Sequence, residues 1–331
     1  MKRAGVWLAA VYLLCAIGLA IALRAGDRWW PATLLLFGPR WIWLVPAPFV
    51  LVCALLVKGR ASLRRAALAV GFAGGGVVLV WVMDLRAPWR ALLRPAAEGP
   101  PLRVTTLNAG AEWLEPPSAV AALFEGTDVL AVEECGMGSF EALGQPAGWS
   151  VRRDKMICVF SRFPIELEDE LYVEGVDGGA ARYRVAAPGG PPLTLVALHL
   201  ESPRDGLEAV RAGLWRGVPA LNEVMAIRDR QSAAIKAWVQ KAAPEGALVV
   251  AGDFNMPTES AILREDWGWL GNAFELAGWG FGSSKRTRLI RVRIDHLFVG
   301  AGLAVERCTT GPHVGSDHLP MTATLRRAVS R

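Results

Sequence analysis

The sequence predicts a chain in two parts, a helical region built to cross a membrane followed by an α/β domain. Three observations carry this reading. Apolar runs of bilayer length, free of charged residues, fill most of the first ninety positions. Beyond about residue 100, short strands rich in β-branched residues alternate with helical stretches, the pattern of an α/β core. Charge divides at the same place: residues 1–98 carry net +9 and residues 99–331 net −4, within a whole-chain charge of +5.

The first run, residues 4–23, matches the roughly 20 residues that cross a bilayer core. It exceeds a usual signal-peptide core, and no small-residue cleavage site follows it. The second run, 41–57, is framed by Trp29, Trp30, Trp41 and Trp43, rings expected at headgroup level, and carries Pro46 and Pro48, which membrane helices tolerate. The third, 66–83, contains Gly71, Gly74, Gly75 and Gly76, small residues that let helices approach closely. The expectation is a transmembrane region over 1–86 with three spans, in which the stretch 29–37 is too short to cross. Lys2, Arg3, Lys58, Arg60, Arg64 and Arg65 are the compact basic ends and should face the cytoplasm. Arg24, Arg28 and Arg40, with Arg86, Arg90 and Arg94, weaken that contrast. Three crossings would make a multi-pass protein of the cytoplasmic membrane and put the remainder of the chain outside.

Residues 87–101, with Pro88, Pro95, Gly99, Pro100 and Pro101, read as a linker to a domain over 102–331. The five cysteines are odd in number and lack metal spacing, so neither a disulfide framework nor a zinc site is expected. The negative C-terminal part offers no general attraction to a polyanion, which disfavours nucleic acid as partner.

In chain order, Leu-Arg-Val-Thr-Thr-Leu-Asn at 102–108 is an alternating strand that delivers Asn108 at its end. A helix is expected over 119–124. Asp-Val-Leu-Ala-Val-Glu-Glu at 128–134 is a buried strand ending in carboxylates. Residues 157–160 and 183–186 suggest a hairpin-like region, 193–199 a strand ending in His199, and 207–242 a helical stretch stopped by Pro244 and Gly246. Leu-Val-Val-Ala-Gly-Asp-Phe-Asn at 248–255 is a strand whose Gly ends it. Residues two apart in extended chain share a side, so Asp253 and Asn255 come together at the mouth of a sheet. Asp295 and Asp317-His318 complete the polar set.

Asn108, Glu134, His199, Asp253, Asn255, Asp295, Asp317 and His318 thus share one property, a place at or just after the end of an expected apolar strand. Such a set holds what metal-assisted phosphoester hydrolysis needs: hard oxygen ligands, a group to activate water, donors for phosphoryl oxygens and a proton acceptor. In their order, Thr-Leu-Asn108, Val-Glu-Glu134, Leu-His199-Leu, Gly-Asp253-Phe-Asn255, Arg-Ile-Asp295 and Ser-Asp317-His318 resemble the endonuclease/exonuclease/phosphatase superfamily, over roughly residues 102–326. The resemblance implies a DNase I-like four-layer α/β sandwich, two mixed sheets between helices, with the active site at one edge. It implies Mg2+ or Mn2+ held by Glu134 with Asn108 and Asp317, and Asp253 on the attacking water. It further implies Asn255 and His199 on the phosphate, and His318 oriented by Asp295. Whether Asp253 or His318 takes the proton stays open. Glu133 stands where many members have Gln, and His296 where an aromatic often follows the Asp. Arg204, just after His199, and Arg293, in the basic run with Lys285, Arg286, Arg288 and Arg291, are candidates to hold an anionic substrate. The expected activity is a membrane-anchored phosphoesterase with an unidentified phosphate-ester substrate, with an extracytoplasmic nuclease or a non-catalytic binding domain as the competing readings.

Overall fold

The computed structural model describes residues 4–57, 61–89, 97–110, 114–242 and 247–329. Lys2, Arg3, Lys58, Arg60, linker residues 90–96 and the helix stop at 244–246 lie outside them. The chain divides into two compact units, residues 1–85 with Glu259–Ala261, and the rest.

The first unit is helical: α1 (Ala4–Leu23), α2 (Trp30–Leu36), a 3-10 turn (Arg40–Leu44), α3 (Pro46–Leu55) and α4 (Ala61–Val77), which continues as a π-turn to Val82. Two of these helices, Ala4–Leu23 and Ala61–Val82, are long and apolar enough to cross a membrane. The expected second span is a bent pair, Trp30–Leu36 and Arg40–Leu55, at 86° to each other. Phe37-Gly38-Pro39 breaks the helix there, because Pro39 offers no N–H and restricts the residue before it. The third run starts earlier than expected, at Ala61, so Arg64 and Arg65 lie within the first turns of the helix. The direction of each helix follows from its neighbours. Val6, Ala54, Val57 and Ala67 cluster together, while Leu23, Leu36 and Val82 share another cluster, so α1 and α4 run the same way and α3 runs against them. A Cβ on Gly5 would come 2.4 Å from the Cys53 carbonyl oxygen, and one on Gly74 would come 2.7 Å from the Tyr12 ring. Those two glycines let the helices touch, whereas Gly75 and Gly76 face open space.

The second unit contains two six-stranded mixed sheets. The strands are β1 (Ala97–Asn108), β2 (Val129–Glu133), β3 (Ser150–Asp154), β4 (Ile157–Ser161), β5 (Ile165–Leu171), β6 (Gly179–Val185), β7 (Leu193–His199), β8 (Leu248–Asp253), β9 (Gly271–Asn272), β10 (Lys285–Arg286), β11 (Arg291–Val292), β12 (Asp295–Val299), β13 (Leu303–Thr310) and β14 (Met321–Ala328). One sheet has the order β13-β14-β1-β2-β4-β3 and the other β5-β6-β7-β8-β12-β9. Alternation along each strand builds the layers. Val104, Val129, Ala131, Leu195, Ala197, Val249 and Ala251 face inward and form the core between the sheets. Leu107, Leu130 and Val132 face outward against the helix Pro117–Glu125, and Val196, Leu198 and Val250 face outward against Val218–Ala242 and Ala261–Trp267. The result is the expected stack of helix, sheet, sheet and helix.

Four local expectations need correction. The strand β1 begins at Ala97, not 102: its first residues pair with Ala328 and Arg327 across an irregularity that absorbs Gly99, Pro100 and Pro101, so the end of the expected linker is part of the sheet. The 157–160 and 183–186 segments form no hairpin, because β4 lies in one sheet and β6 in the other. Residues 207–242 are two α-helices, Arg204–Gly213 and Val218–Ala242, separated by a 3-10 turn, Leu214–Gly217, whose first residue has φ +50° and breaks the α-helical path. Finally, Cys135 and Cys158 form a disulfide although no spacing announced it. Pairing of Val132 with Cys158 across β2 and β4 brings the two Cα atoms to 5.8 Å, within bonding range.

Reduction of that bond is expected to lower the thermal midpoint, with a stability loss of about 2–4 kcal/mol, typical of one disulfide. Thermal melts with and without reductant, beside a Cys158→Ser variant that reductant no longer affects, check this.

Candidate active site

The site forms where strands of the two sheets finish at one edge. Asn108 ends β1 and pairs with Glu133 at the end of β2. His199 ends β7 beside Asp253 at the end of β8. Asp295 begins its strand rather than ending it, but β12 runs antiparallel to β8, so Asp295 faces Asp253 directly across the pair. Gly252 does not end β8. A Cβ there would sit 1.8 Å from the Leu198 carbonyl oxygen, so glycine is required for β7 and β8 to pack at this point.

Hydrogen bonds knit the set together. The Asn108 amide donates to Glu134 Oε1 and to Asp253 Oδ2, both at 2.9 Å, while its Oδ1 accepts from the Gly110 N–H. The Asn255 N–H donates to Asp253 Oδ1 at 2.7 Å, a local turn that holds Asn255 at φ +52°, a conformation Asn tolerates. The Asn255 side-chain amide donates to the Leu200 carbonyl at 2.7 Å and lies 3.3 Å from His199 Nε2. His199 Nε2 is 3.4 Å from Glu134 Oε1. His318 Nδ1 lies 2.8 Å from Asp295 Oδ2, and its Nε2 lies 3.8 Å from Asp253 Oδ2. The ring bridges two carboxylates.

Alternation along β2 would turn Glu134 away from the face that Asn108 and Glu133 share. It does not, because Glu134 adopts φ +49° and swings back onto the edge, at a strain on the order of 1–2 kcal/mol. Both glutamates therefore border the site. Glu133 is fully buried and accepts from the Thr106 hydroxyl at 2.9 Å, while the side chain of Glu134 is 35 % exposed.

These distances fix the electrostatics. Burial, then the charges of Asp295 and Asp253, push Glu133 well above the usual carboxylate range, toward the neutral form that resembles in shape and hydrogen bonding the Gln expected there. Burial and the charge of Asp295 also push Asp253 up, against His318, His199 and the Asn255 N–H. Burial would raise Asp295 as well, but the charge and hydrogen bond of His318 leave it lowered. For His318 burial works downward, yet Asp295 and Asp253 win and raise it to about 9.

Other expected site residues are placed differently. Asp317 stays at the mouth of the site, 53 % exposed and ion-paired with Lys285, with its Oδ1 3.8 Å from His318 Nε2. Arg204 is exposed at the start of its helix, with its backbone N–H on the Ser202 hydroxyl. Arg293 is not a rim residue: it is buried, its guanidinium lying 4.4 Å from the Phe274 ring centre, because alternation from Asp295 sends it into the interior. His296 has a packing role, as expected of a residue facing away from Asp295. It lies against Phe254, with Nε2 2.8 Å from the Met256 carbonyl oxygen.

Three positioning residues escaped sequence reasoning. Buried Arg228 donates to the carbonyl oxygens of Glu201 and Asn255, clamping the loops that follow β7 and β8. The Ser284 hydroxyl accepts from the N–H groups of Ile294 and Asp295. The Ser316 hydroxyl donates to the Asn108 carbonyl and accepts from the His318 N–H, tying the last loop to β1. The spacing of Arg228, Gln231 and Ser232, one helical face of polar residues that are all buried, was the available signal.

The sequence model of the Endonuclease/Exonuclease/phosphatase family matches residues 105–318, more than half of the chain. The chain belongs to the endonuclease/exonuclease/phosphatase family. Membership supports hydrolysis of phosphoester bonds as the chemistry of this site. Among solved structures, truncated Caenorhabditis elegans TDP2 is 14 % identical and superposes with a TM-score of 0.51 over 70 % of this chain and 99 % of that one. D. rerio TDP2 complexed with a single-strand DNA product, also 14 % identical, gives 0.50 over 69 % and 100 %. At that identity the two show a shared fold. No curated protein matches the chain.

Family membership raises the question of a divalent cation, and the donors fit one. Glu133, Glu134, Asp253, Asp295 and Asp317 crowd one edge, and Glu134 presents an accessible carboxylate, the oxygen chemistry a hard cation takes. Asp253, Asp295 and His318 also lie close enough together to hold an ion. That second grouping is fully buried and contains the His318–Asp295 pair, whereas Glu134 offers an oxygen ligand open to solvent.

Because its folded value is raised from 6.5 to about 9, His318 contributes stability that is complete below about pH 6.5 and lost as pH rises through 9. Unfolding followed from pH 6 to 10 in EDTA is expected to show this loss, and His318→Gln to remove it.

Proposed function

We propose that the chain is a membrane-anchored, divalent-cation-dependent phosphoester hydrolase whose catalytic unit faces away from the cytoplasm. The observation that carries the chemistry is the convergence of Glu134, His199, Asp253, Asn255, Asp295 and His318 on one edge of the paired sheets. Glu134 would hold Mg2+ or Mn2+, with Asp317 free to join it on leaving Lys285. Asn108 supports this ligand through its amide N–H and is a positioning residue rather than a main ligand. The cation, when bound, would supply charge to the phosphoryl oxygens and acidity to the attacking water.

The chain's own groups divide the remaining work. Asp253 is held by N–H donors from Asn108 and Asn255, which aim its carboxylate at the space before His318 and His199. It orients the water and accepts its proton. His318, kept cationic by Asp295 and Asp253, faces the phosphoryl oxygens and donates to them. His199 and one N–H of Asn255 turn from each other to the phosphate once it arrives. Glu133, whose burial favours its protonated form, is the less suited of the two glutamates to ligate the cation. The net negative charge of residues 99–331 argues against a nucleic-acid substrate and for a small or lipid-borne phosphoester.

Location rests on two independent supports. Counting the bent pair as one span, the opposed directions of α1, α3 and α4 support three traverses, an odd number that would separate the N-terminus from the catalytic unit. The disulfide at the end of β2 suits an oxidising compartment outside the cytoplasm.

Hydrolysis of bis-p-nitrophenyl phosphate is expected to stop in EDTA and return with Mg2+ or Mn2+. Glu134→Gln and His318→Ala should each lower the rate by roughly 100-fold or more, whereas Glu133→Gln should keep most of it. Equal losses in both glutamate variants would overturn the assignment of Glu134, and turnover that ignores EDTA would remove the cation. Alkaline phosphatase fused after Arg331 is expected to be active in cells. A fusion that is silent while its green fluorescent counterpart glows would place the catalytic unit in the cytoplasm.

A further inference from the structure

Two exposed aromatic residues of the catalytic unit, Trp279 and Phe281, are 75 % and 39 % exposed and flank Gly280. Large apolar rings in water are costly, and a pair of them at one loop tip marks a contact surface. The backbone of that loop is tied down at its centre. The Arg86 N–H donates to the Gly280 carbonyl at 2.8 Å and the Gly280 N–H donates back at 2.9 Å. The Arg86 guanidinium adds a 3.0 Å ion pair with Glu275, in the helix just before the loop.

Arg86 is the residue that leaves the last apolar helix. That helix runs from Ala61 to Val82, and after it the Leu85 N–H still donates to the Leu79 carbonyl oxygen at 2.9 Å. One peptide link, about 3.8 Å between Cα atoms, separates Leu85 from Arg86. Chain connectivity therefore keeps Gly280 close to the end of the helix. Each polar layer of a bilayer adds roughly 5–7 Å to the apolar core. Trp and other amphipathic rings settle in that layer, one end in hydrocarbon and the other hydrated.

We propose that Trp279 and Phe281 are seated in the headgroup layer of the bilayer and hold the catalytic unit against the membrane surface. The inference rests on the anchoring reading, in which Ala61–Val82 crosses the membrane. The loop is also linked to the chemistry, since Gly280 precedes by five residues Lys285, which forms a backbone bridge with His318 and an ion pair with Asp317. Five residues span at most about 18 Å. A phosphoester carried by a lipid of the same leaflet is thus brought near the edge where the site opens.

The experiment uses the full chain with Cys15→Ala and Cys53→Ala, which removes the accessible free thiols and leaves buried Cys308 and the disulfide. Phe281→Cys, Trp279→Cys and, as a reference within the span, Phe72→Cys are each labelled with an environment-sensitive dye. The variants are reconstituted in phosphatidylcholine/phosphatidylglycerol vesicles containing doxyl lipids. The expected result is quenching of the labels at 279 and 281 by shallow doxyl groups, loss of their quenching by aqueous iodide, and quenching of the label at 72 by deep doxyl groups. If the label at 72 is quenched while those at 279 and 281 stay open to iodide, this inference falls and the anchor stands. If the label at 72 is not quenched either, the anchoring reading falls and takes the inference with it.

Discussion

Two buried carboxylates placed directly opposite each other at one edge of a sandwich are the constraint on which the site depends. Asp253 and Asp295 are cross-strand partners, and both are fully buried. Like charges so placed repel, and leaving a buried charge without its partner costs about 3–5 kcal/mol. The surrounding donors answer that demand. His318 reaches Asp295 closely and Asp253 more loosely, Asn108 and Asn255 donate N–H groups to Asp253, and the N–H of Asp295 is itself fixed by Ser284. The raised proton affinity of buried Glu133 works against one more charge in the same space. The field that would destabilise an inert core here sets the proton affinity of His318.

Position in this site comes from the backbone as much as from side-chain choice. Glu134 reaches the edge only through a left-handed residue that interrupts strand alternation, and β8 meets β7 only because Gly252 has no side chain. The loops that follow are then held from behind. Arg228 binds the carbonyls beyond β7 and β8, and Ser316 connects β1 to the segment carrying His318. Groups drawn from β1, β2, β7, β8, β12 and the segment carrying His318 can thus be placed to within hydrogen-bond tolerance, although they are spread over the chain from residue 108 to residue 318.

The helical unit obeys other physics. Its helices meet where glycine removes a side chain, at Gly5 and Gly74, and its middle segment is bent at Pro39 rather than straight. Two of its helices, Ala4–Leu23 and Ala61–Val82, are long and apolar enough to cross a membrane, and the bent middle pair would make a third span only if it counts as one.

Much of this was legible in the sequence because it depends on local pattern. Strand alternation and apolar run length located β1, β2, β7 and β8 and the long helices, and the order of the polar residues at strand ends identified the family. The buried role of His296 followed from alternation alone. Alternation also misled, since it assigned one glutamate of the Glu133–Glu134 pair to the site and the other away from it, until a positive φ brought both there. Arg293 looked like one of a basic run, but its burial against Phe274 depends on how the strand is covered, which no neighbouring residue reports. The disulfide, the clamps made by Arg228, Ser284 and Ser316, and the facing of Asp253 by Asp295 join residues far apart in the chain. Sequence determined which groups are present and which face of each element they occupy, whereas only the packing of one sheet on the other decided which of them meet, because distance between elements is set by tertiary contact and not by spacing along the chain.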